Sequence, residues 1–376
     1  MKQYSYFLFE NFDAQALAEH PKNPRKFFDE KTDCAIAQLF SLPVGANVEL
    51  FFQQCSQAGL SEQQIKQRIK VGFFREENEK IYLDCPVICR EDIPVIRREF
   101  STIVKLLVEK LEQHIADLYR LTKEQQNGFS EQENLYHLLC GAVFDGSLFD
   151  CLEREQAVCT SKQHKSGLDY LITVYEDCAE CQSFSEQLLC SYNRFTDGKR
   201  SLESFGDANG NRRDFYRFFR LREQGILAPC REEEWIRQIE SQHKNVREYL
   251  LDQVQNLADG KRIPQQVQSL LKQFGYCNRQ GICVPVFRED AKQTVEKLTN
   301  LVSSLLLEEM IDSVAAASRH LSCIRYGASV EEAANETYHI LFGMINEELV
   351  RRKIVSPPLF FSGEGRFRKC IWIIQE

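Results

Sequence analysis

Apolar positions along this chain recur mostly at three- and four-residue steps, the spacing that lines one face of a helix. Val48, Phe51, Phe52 and Cys55 fall at i, i+3, i+4 and i+7 and predict a helix over 44–55. Gly59-Leu60-Ser61-Glu62 reads as the turn that follows. Ser61 is suited to cap a second helix, with Glu62 and Gln64 favouring its first turn and a capping box. Ile65 and Ile69 give that helix, over 63–70, an apolar edge, and Gly72 ends it. The pattern then turns strand-like: Phe73-Phe74 and residues 80–88 flank the polar run 75–79, as in a β-hairpin. Beyond it Phe100, Ile103, Val104, Leu107, Leu111, Ile115 and Leu118 predict a long amphipathic helix over 93–121.

The pattern occurs twice. Tyr136-His137-Leu138-Leu139-Cys140-Gly141 is echoed 202 residues later by Tyr338-His339-Ile340-Leu341-Phe342-Gly343. Gly72-Phe73, Pro86-Val87-Ile88 and Arg90-Glu91-Asp92 have counterparts in Gly275-Tyr276, Pro285-Val286-Phe287 and Arg288-Glu289-Asp290. Ser166-Gly167 is matched by Ser362-Gly363. These offsets predict a tandem duplication of roughly 200 residues, the scale at which one copy is a whole domain. In the second copy a helix starts near Pro264 and is stopped by Gly275, 277–286 folds back on itself, and Val295, Leu298, Val302, Leu305, Leu306 and Met310 mark a long helix over 290–319. A second hairpin closes each copy: 158–160 with 169–175, and 354–361 with 367–374.

Helix, turn, helix, hairpin is the element order of a winged-helix module, and the chain resembles that superfamily. The resemblance implies a mainly α fold with short antiparallel β-hairpins, as tandem winged-helix-like modules joined by long helices. It divides the chain into an N-terminal extension (1–33), a first repeat (34–195), a Gly-, Ser-, Asp- and Asn-rich linker (196–211) and a second repeat (212–376). It also implies DNA binding and a role in transcription regulation. A winged helix lays its second helix in the major groove and reaches phosphates with basic and amide side chains. The candidates are Gln63, Gln64, Lys66, Gln67, Arg68 and Lys70 in the first copy, and Lys261, Arg262, Gln265, Gln266 and Lys272 in the second.

Charge qualifies this reading. The chain carries 47 Lys and Arg against 55 Asp and Glu, for a net charge of −8. Local patches decide nucleic-acid contact, however. Residues 351–370 hold Arg351, Arg352, Lys353, Arg366, Arg368 and Lys369 against Glu364 alone, which makes the final hairpin a candidate wing. Residues 194–222 are also basic, and there Arg213, Arg217 and Arg220 share one helical face between aromatics. Two readings stand for that segment: a nucleic-acid surface, or an amphipathic helix with buried aromatics and ion-paired arginines. The long helices pack within the chain or pair with a protein partner, including a second copy. A scaffold role without DNA contact is the alternative function.

Catalysis finds little support. No P-loop, dinucleotide glycine fingerprint, HExxH or GxSxG occurs. His137 and His339 sit inside apolar helix segments and read as hydrogen-bonded core histidines. Among 15 cysteines, Cys178-Ala-Glu-Cys181 with Cys190 is the one grouping that suggests a zinc-linked sensor, and a structural zinc site usually needs a second such pair. A thioredoxin-like redox pair would need a strand-to-helix turn in a βαβ unit, and no such alternation is evident around it. No stretch approaches the ~18 apolar residues of a membrane span, and the expected location is the cytoplasm.

Overall fold

The computed structural model describes residues 2–10, 23–164, 167–185, 187–208 and 211–374. About 55% of the chain is helix and 16% strand, the strands in small sheets. Strand β1 (Tyr4–Glu10) comes first, then helices α1 (Glu30–Ser41), α2 (Val48–Gln57) and α3 (Glu62–Lys70). The hairpin β2 (Phe74–Glu77) and β3 (Lys80–Leu83) follows, then the two-residue strand β4 (Val87–Ile88). Asp29, Asn47 and Ser61 cap the three helices through their side chains, and Ser61 with Gln64 completes the expected capping box. Gly72 ends α3 at φ +82°, and a Cβ there would lie 2.2 Å from the His164 ring.

Helices α4 (Asp92–Gln113) and α5 (Ile115–Lys123) replace the single helix expected over 93–121, with the break at His114. Next come α6 (Glu131–Leu135), a π-helical stretch (Tyr136–Ser147) and α7 (Leu148–Arg154). Strand β5 (Tyr170–Glu176), short helix α8 (Ala179–Ser185) and strand β6 (Leu189–Thr196) complete the first half. The second half holds β7 (Arg200–Asp207), α9 (Phe215–Glu223), α10 (Arg231–Glu240), α11 (Val246–Ala258), α12 (Gln265–Gln273), β8 (Val286–Phe287), α13 (Glu289–Arg319), α14 (Ser322–Arg325), α15 (Val330–Arg351), β9 (Leu359–Phe361) and β10 (Gly365–Ile373).

Two expected boundaries are corrected. Residues 196–211 are no linker, because β7 runs through them as an interior strand. Its polar residues misled the composition reading; they are buried and bonded, as Ser204 to Asp214 and Ser201 to Glu203. Residues 1–33 are not simply an extension either, since β1 is paired along its whole length with β5; residues 11–22, including Pro21, and Ser166 lie outside the described set. Residues 158–160 form no strand.

The described chain forms two compact units. Unit one comprises 1–107, 150–185 and 306–341, and unit two 108–149, 186–305 and 342–376. In unit one β5 is central, antiparallel to β1 and parallel to β4, in the order β1-β5-β4. In unit two β10 occupies the same place, antiparallel to β7 and parallel to β8, with β6 beyond β7 and β9 also on β10. The Pro-Val-Ile and Pro-Val-Phe matches are these short parallel strands: the carbonyls of Pro86 and Pro285 accept from the N–H groups of Val174 and Ile371, at 3.0 and 2.9 Å. The same pairing thus occurs twice at the spacing read from the sequence.

Buried Phe51, Ile65, Phe73, Phe74, Ile81 and Leu83 fill the corner of unit one where α2 and α3 meet the hairpin. In unit two Phe195, Phe215, Phe219, Ile236, Leu250, Leu271, Phe274 and Ile371 form a contiguous core under the sheet. Residues 131–154 form one helical stretch long and apolar enough to cross a membrane, which the sequence reading had not singled out; 67% of its most apolar window is buried within the protein.

His137 lies in the π-helical stretch, 1% exposed, with both ring nitrogens unpartnered among the described residues. This corrects the expectation of a hydrogen-bonded histidine there. His339 keeps its bond, with Nδ1 2.8 Å from the Asn335 carbonyl. Burial, and secondarily Arg368, pushes the His137 imidazole down to about 3. Its ring is therefore neutral in the fold at every pH above that value. Between pH 6.5 and 3 the unfolded chain takes up a proton the fold refuses, so stability is full above 6.5 and falls as pH drops. His137→Leu should raise stability at pH 7 by about 1–2 kcal/mol by removing unpaired buried polar atoms. From pH 7 to 5 it should lose about 2 kcal/mol less than the parent. Urea melts at the two pH values measure both.

Candidate nucleic-acid interface

Helix α3 buries Ile65 and Arg68 and turns Gln63, Lys66 and Lys70 outward, with Gln67 half-buried. Glu62, Gln63, Lys66, Gln67 and Lys70 line an open groove of about 410 Å³ along that face. Four of the six expected residues are thus brought together. Glu62, which the sequence reading assigned only to the cap, is part of the same surface and pairs with Lys66 at 2.5 Å. The other two have structural work. Gln64 Oε1 accepts from the Ser61 N–H at 2.9 Å in the capping box. Arg68 is 2% exposed; its guanidinium pairs with Asp29 and donates to Thr32 Oγ1 at 2.7 Å and to the Gln64 carbonyl at 2.9 Å. A side chain so enclosed cannot reach a phosphate, so Arg68 is withdrawn from the interface.

Helix α12 repeats the pattern 202 residues on. Val267, Leu270 and Leu271 are buried where Ile65, Arg68 and Ile69 stand in α3. Gln265, Gln268 and Lys272 are exposed at the positions of Gln63, Lys66 and Lys70. Lys261 and Arg262 are exposed just ahead of the helix. Gln266 is engaged instead, donating to the Trp235 carbonyl at 3.2 Å and to Gln238 Oε1 at 2.7 Å.

The basic C-terminal window does not form a positive face. Arg351 and Arg352 both clamp Glu348, whose carboxyl they hold down at about 2, and Arg352 also reaches Glu112 at 2.7 Å and Glu109 at 3.3 Å. Arg366 lies between Asp207 and Glu347, at 2.7 and 2.6 Å. Arg368 pairs with Glu133 at 3.1 Å and donates to the Pro357 carbonyl at 2.8 Å. Lys369 points inward to the carbonyls of Arg213 and Phe274, and burial pushes its ammonium down to about 8. Arg352, Arg366, Arg368 and Lys369 are corrected as DNA contacts, because acids or backbone carbonyls occupy them; Arg351 stays largely exposed, paired with Glu348 three residues before it. The first strand of that hairpin, β9, is apolar and outward: Leu359, Phe360 and Phe361 are all exposed.

Helix α9 buries its aromatics as the amphipathic reading expects. The three arginines expected to share one face differ: Arg213 takes an acid partner, whereas Arg217 donates to Asn211 Oδ1 and Arg220 to the Tyr216 hydroxyl. Phe215, Phe218 and Phe219 are buried, Arg213 pairs with Glu232, and Arg222 pairs with Glu233 and Glu240. The β2–β3 hairpin turns through Asn78 and Glu79 at positive φ and exposes Glu76, Glu77 and Glu79. The hairpin's turn is acidic, and Arg75 donates to the carbonyls of Leu83 and Gly327 and pairs with Glu77 at 3.7 Å.

Cys178 and Cys181 flank the start of α8, whereas Cys190 lies on β6 of unit two. Among the described residues, the ligand-type side chains within 4.8 Å of one another are Cys89, Glu91 and Glu176. The Glu176 oxygens are already taken, by Lys2 at 3.0 Å and by the Arg90 N–H at 3.0 Å. His137 and His339 fall in different units. Comparison of the chain with protein-family models, with curated proteins and with solved structures finds no match.

Arg68 provides a test of its structural role. Arg68→Ala should cost about 2–4 kcal/mol through lost packing and hydrogen bonds. Arg68→Leu, the residue type α12 carries at that position, should cost about 1 kcal/mol or less, because the exposed side of Asp29 is solvated without its partner. Denaturant melts of the two variants separate these outcomes.

Proposed function

We propose that the chain is a DNA-binding protein of the transcription-regulator kind, built on two winged-helix-like modules that meet the duplex with the exposed faces of α3 and α12. The observation that carries this reading is the matched pair of surfaces, Gln63, Lys66 and Lys70 in one half and Gln265, Gln268 and Lys272 in the other. Each presents amides and ammonium groups from a short helix that follows a turn and precedes a strand-like return. Amide side chains suit adenine edges, and lysines suit phosphates. The proposed surface is narrower than the sequence suggests, because Arg68, Arg352, Arg366 and Arg368 are committed to the fold.

A protein-docking role is the second reading, and the acidic hairpin turn favours it. Glu76, Glu77 and Glu79 would meet phosphate with like charge.

Fluorescence anisotropy on a mixed-sequence duplex separates the two. Under the DNA reading the full chain binds at low salt. Lys66→Ala with Lys70→Ala should flatten the slope of log affinity against log salt by about 2, and Lys272→Ala by about 1. Arg351→Ala should leave both affinity and slope unchanged. Absence of binding at about 50 mM salt, or an equal loss from Arg351→Ala, overturns the DNA reading and leaves the docking role.

A further inference from the structure

The Cys178-Ala-Glu-Cys181 segment has a setting its local sequence does not disclose. It leaves the end of β5, the central strand of its sheet, and enters α8 within three residues. Moreover β5 is the second strand of a parallel pair with β4, joined to it by helices. A strand-to-helix turn is therefore present at the motif, although the next strand, β6, belongs to the other sheet and closes no βαβ unit there.

The geometry is that of two sulfurs held together. The Cys178 N–H bonds the Glu176 carbonyl at 3.0 Å, which folds the turn back on the strand end. The Cys181 N–H donates to Cys178 Sγ at 3.4 Å, which sets the first sulfur against the start of the turn that carries the second. Cys178 is half-buried and Cys181 is 1% exposed. Residues three apart in one helical turn have Cβ atoms about 5–6 Å apart, so modest closure brings the sulfurs to bonding distance.

A third group stands beside the pair. Arg90, in the corner between β4 and α4, pairs with Glu180 of α8 at 3.0 Å, which brings its guanidinium to the side of the Cys178 sulfur. Burial pushes the Cys181 thiol well above the usual range, as it pushes Cys55 up to about 12 and Cys277 up to about 11, so the resolving sulfur starts as a protonated thiol. The neighbouring Cys89, Glu91 and Glu176 do not compete for a metal ion, since Lys2 and the Arg90 backbone already satisfy Glu176.

We propose that Cys178 and Cys181 are a redox-active dithiol that hydroperoxides oxidise to an intrachain disulfide, with Cys178 as the attacking sulfur and Cys181 as the resolving one. The Cys178 thiolate attacks the terminal oxygen of the peroxide. The O–O bond breaks, Cys178 becomes the sulfenic acid, and the displaced alkoxide or hydroxide takes a proton. Cys181 then attacks the Cys178 sulfur, the S–O bond breaks, and water leaves with the Cys181 proton. Overall, two thiols and one hydrogen peroxide give one disulfide and two waters.

The test uses the full chain, reduced, freed of reductant and titrated with hydrogen peroxide to tenfold excess. Remaining thiols are blocked with N-ethylmaleimide and the peptides mapped by mass spectrometry. The expected result is a 178–181 disulfide, a loss of two hydrogens that dithiothreitol reverses. Cys190→Ser should leave it intact, and Cys181→Ser should accumulate a sulfenic acid at Cys178 that dimedone captures. Arg90→Met, a change at an exposed side chain, should slow oxidation about fivefold or more. The proposal is overturned if both thiols stay alkylatable at tenfold peroxide, or if Cys178 pairs instead with Cys89 or Cys190. It is equally overturned if purified protein carries a full equivalent of zinc that Cys178→Ser releases.

Discussion

Both units depend on one constraint, the parallel pairing of a two-residue strand with a central one. Antiparallel neighbours can be joined by a tight turn, but a parallel pair needs a long connection that returns the chain to the same end of the sheet. In the first half that connection is residues 89–169, and in the second it is 288–364. The long helices that dominate the composition are therefore crossovers. Each short strand is anchored by a proline carbonyl, and proline suits the position because it offers an acceptor while lacking a donor to satisfy. The antiparallel partner on the other side, β1 or β7, then closes the central strand's remaining edge.

What the sequence made legible was local. Ser61, Gly72, Pro264 and Gly275 mark helix ends through chemistry that acts within a few residues, and those ends fall where expected. The capping box is present atom for atom. The sheets escaped notice because their partners lie far apart along the chain: Tyr6 faces Val174, and Leu202 faces Ile371. β7 was hidden further by its own composition. Ser201, Glu203, Ser204 and Asp207 look like surface residues until Ser204 and Asp207 are seen bonded to Asp214 and Arg366. Gly206, which reads as loop chemistry, permits close strand approach, since a Cβ there would lie 2.1 Å from the Arg366 carbonyl.

The candidate interface shows the same limit from the side of charge. Counting lysines and arginines in a window cannot reveal which are already answered. Arg366 finds Asp207 far upstream and Glu347 nearby, and Arg352 finds Glu112. Arg68 appeared to lie on a polar helix face, yet it occupies a core position that the second half fills with Leu270. Buried charge of this kind survives only with its partners in place. The surface left for recognition is what remains after the fold has drawn on most of its cations.

The composition of unit one has a consequence for synthesis. Strand β5 leaves the ribosome long before residues 306–341, which belong to the same compact unit. At about 5–20 residues per second, the nascent first half waits on the order of ten seconds or more for that segment. During this interval the apolar side chains it will cover are open to the cell's chaperones, and a polypeptide released after its first half would remain an incomplete body.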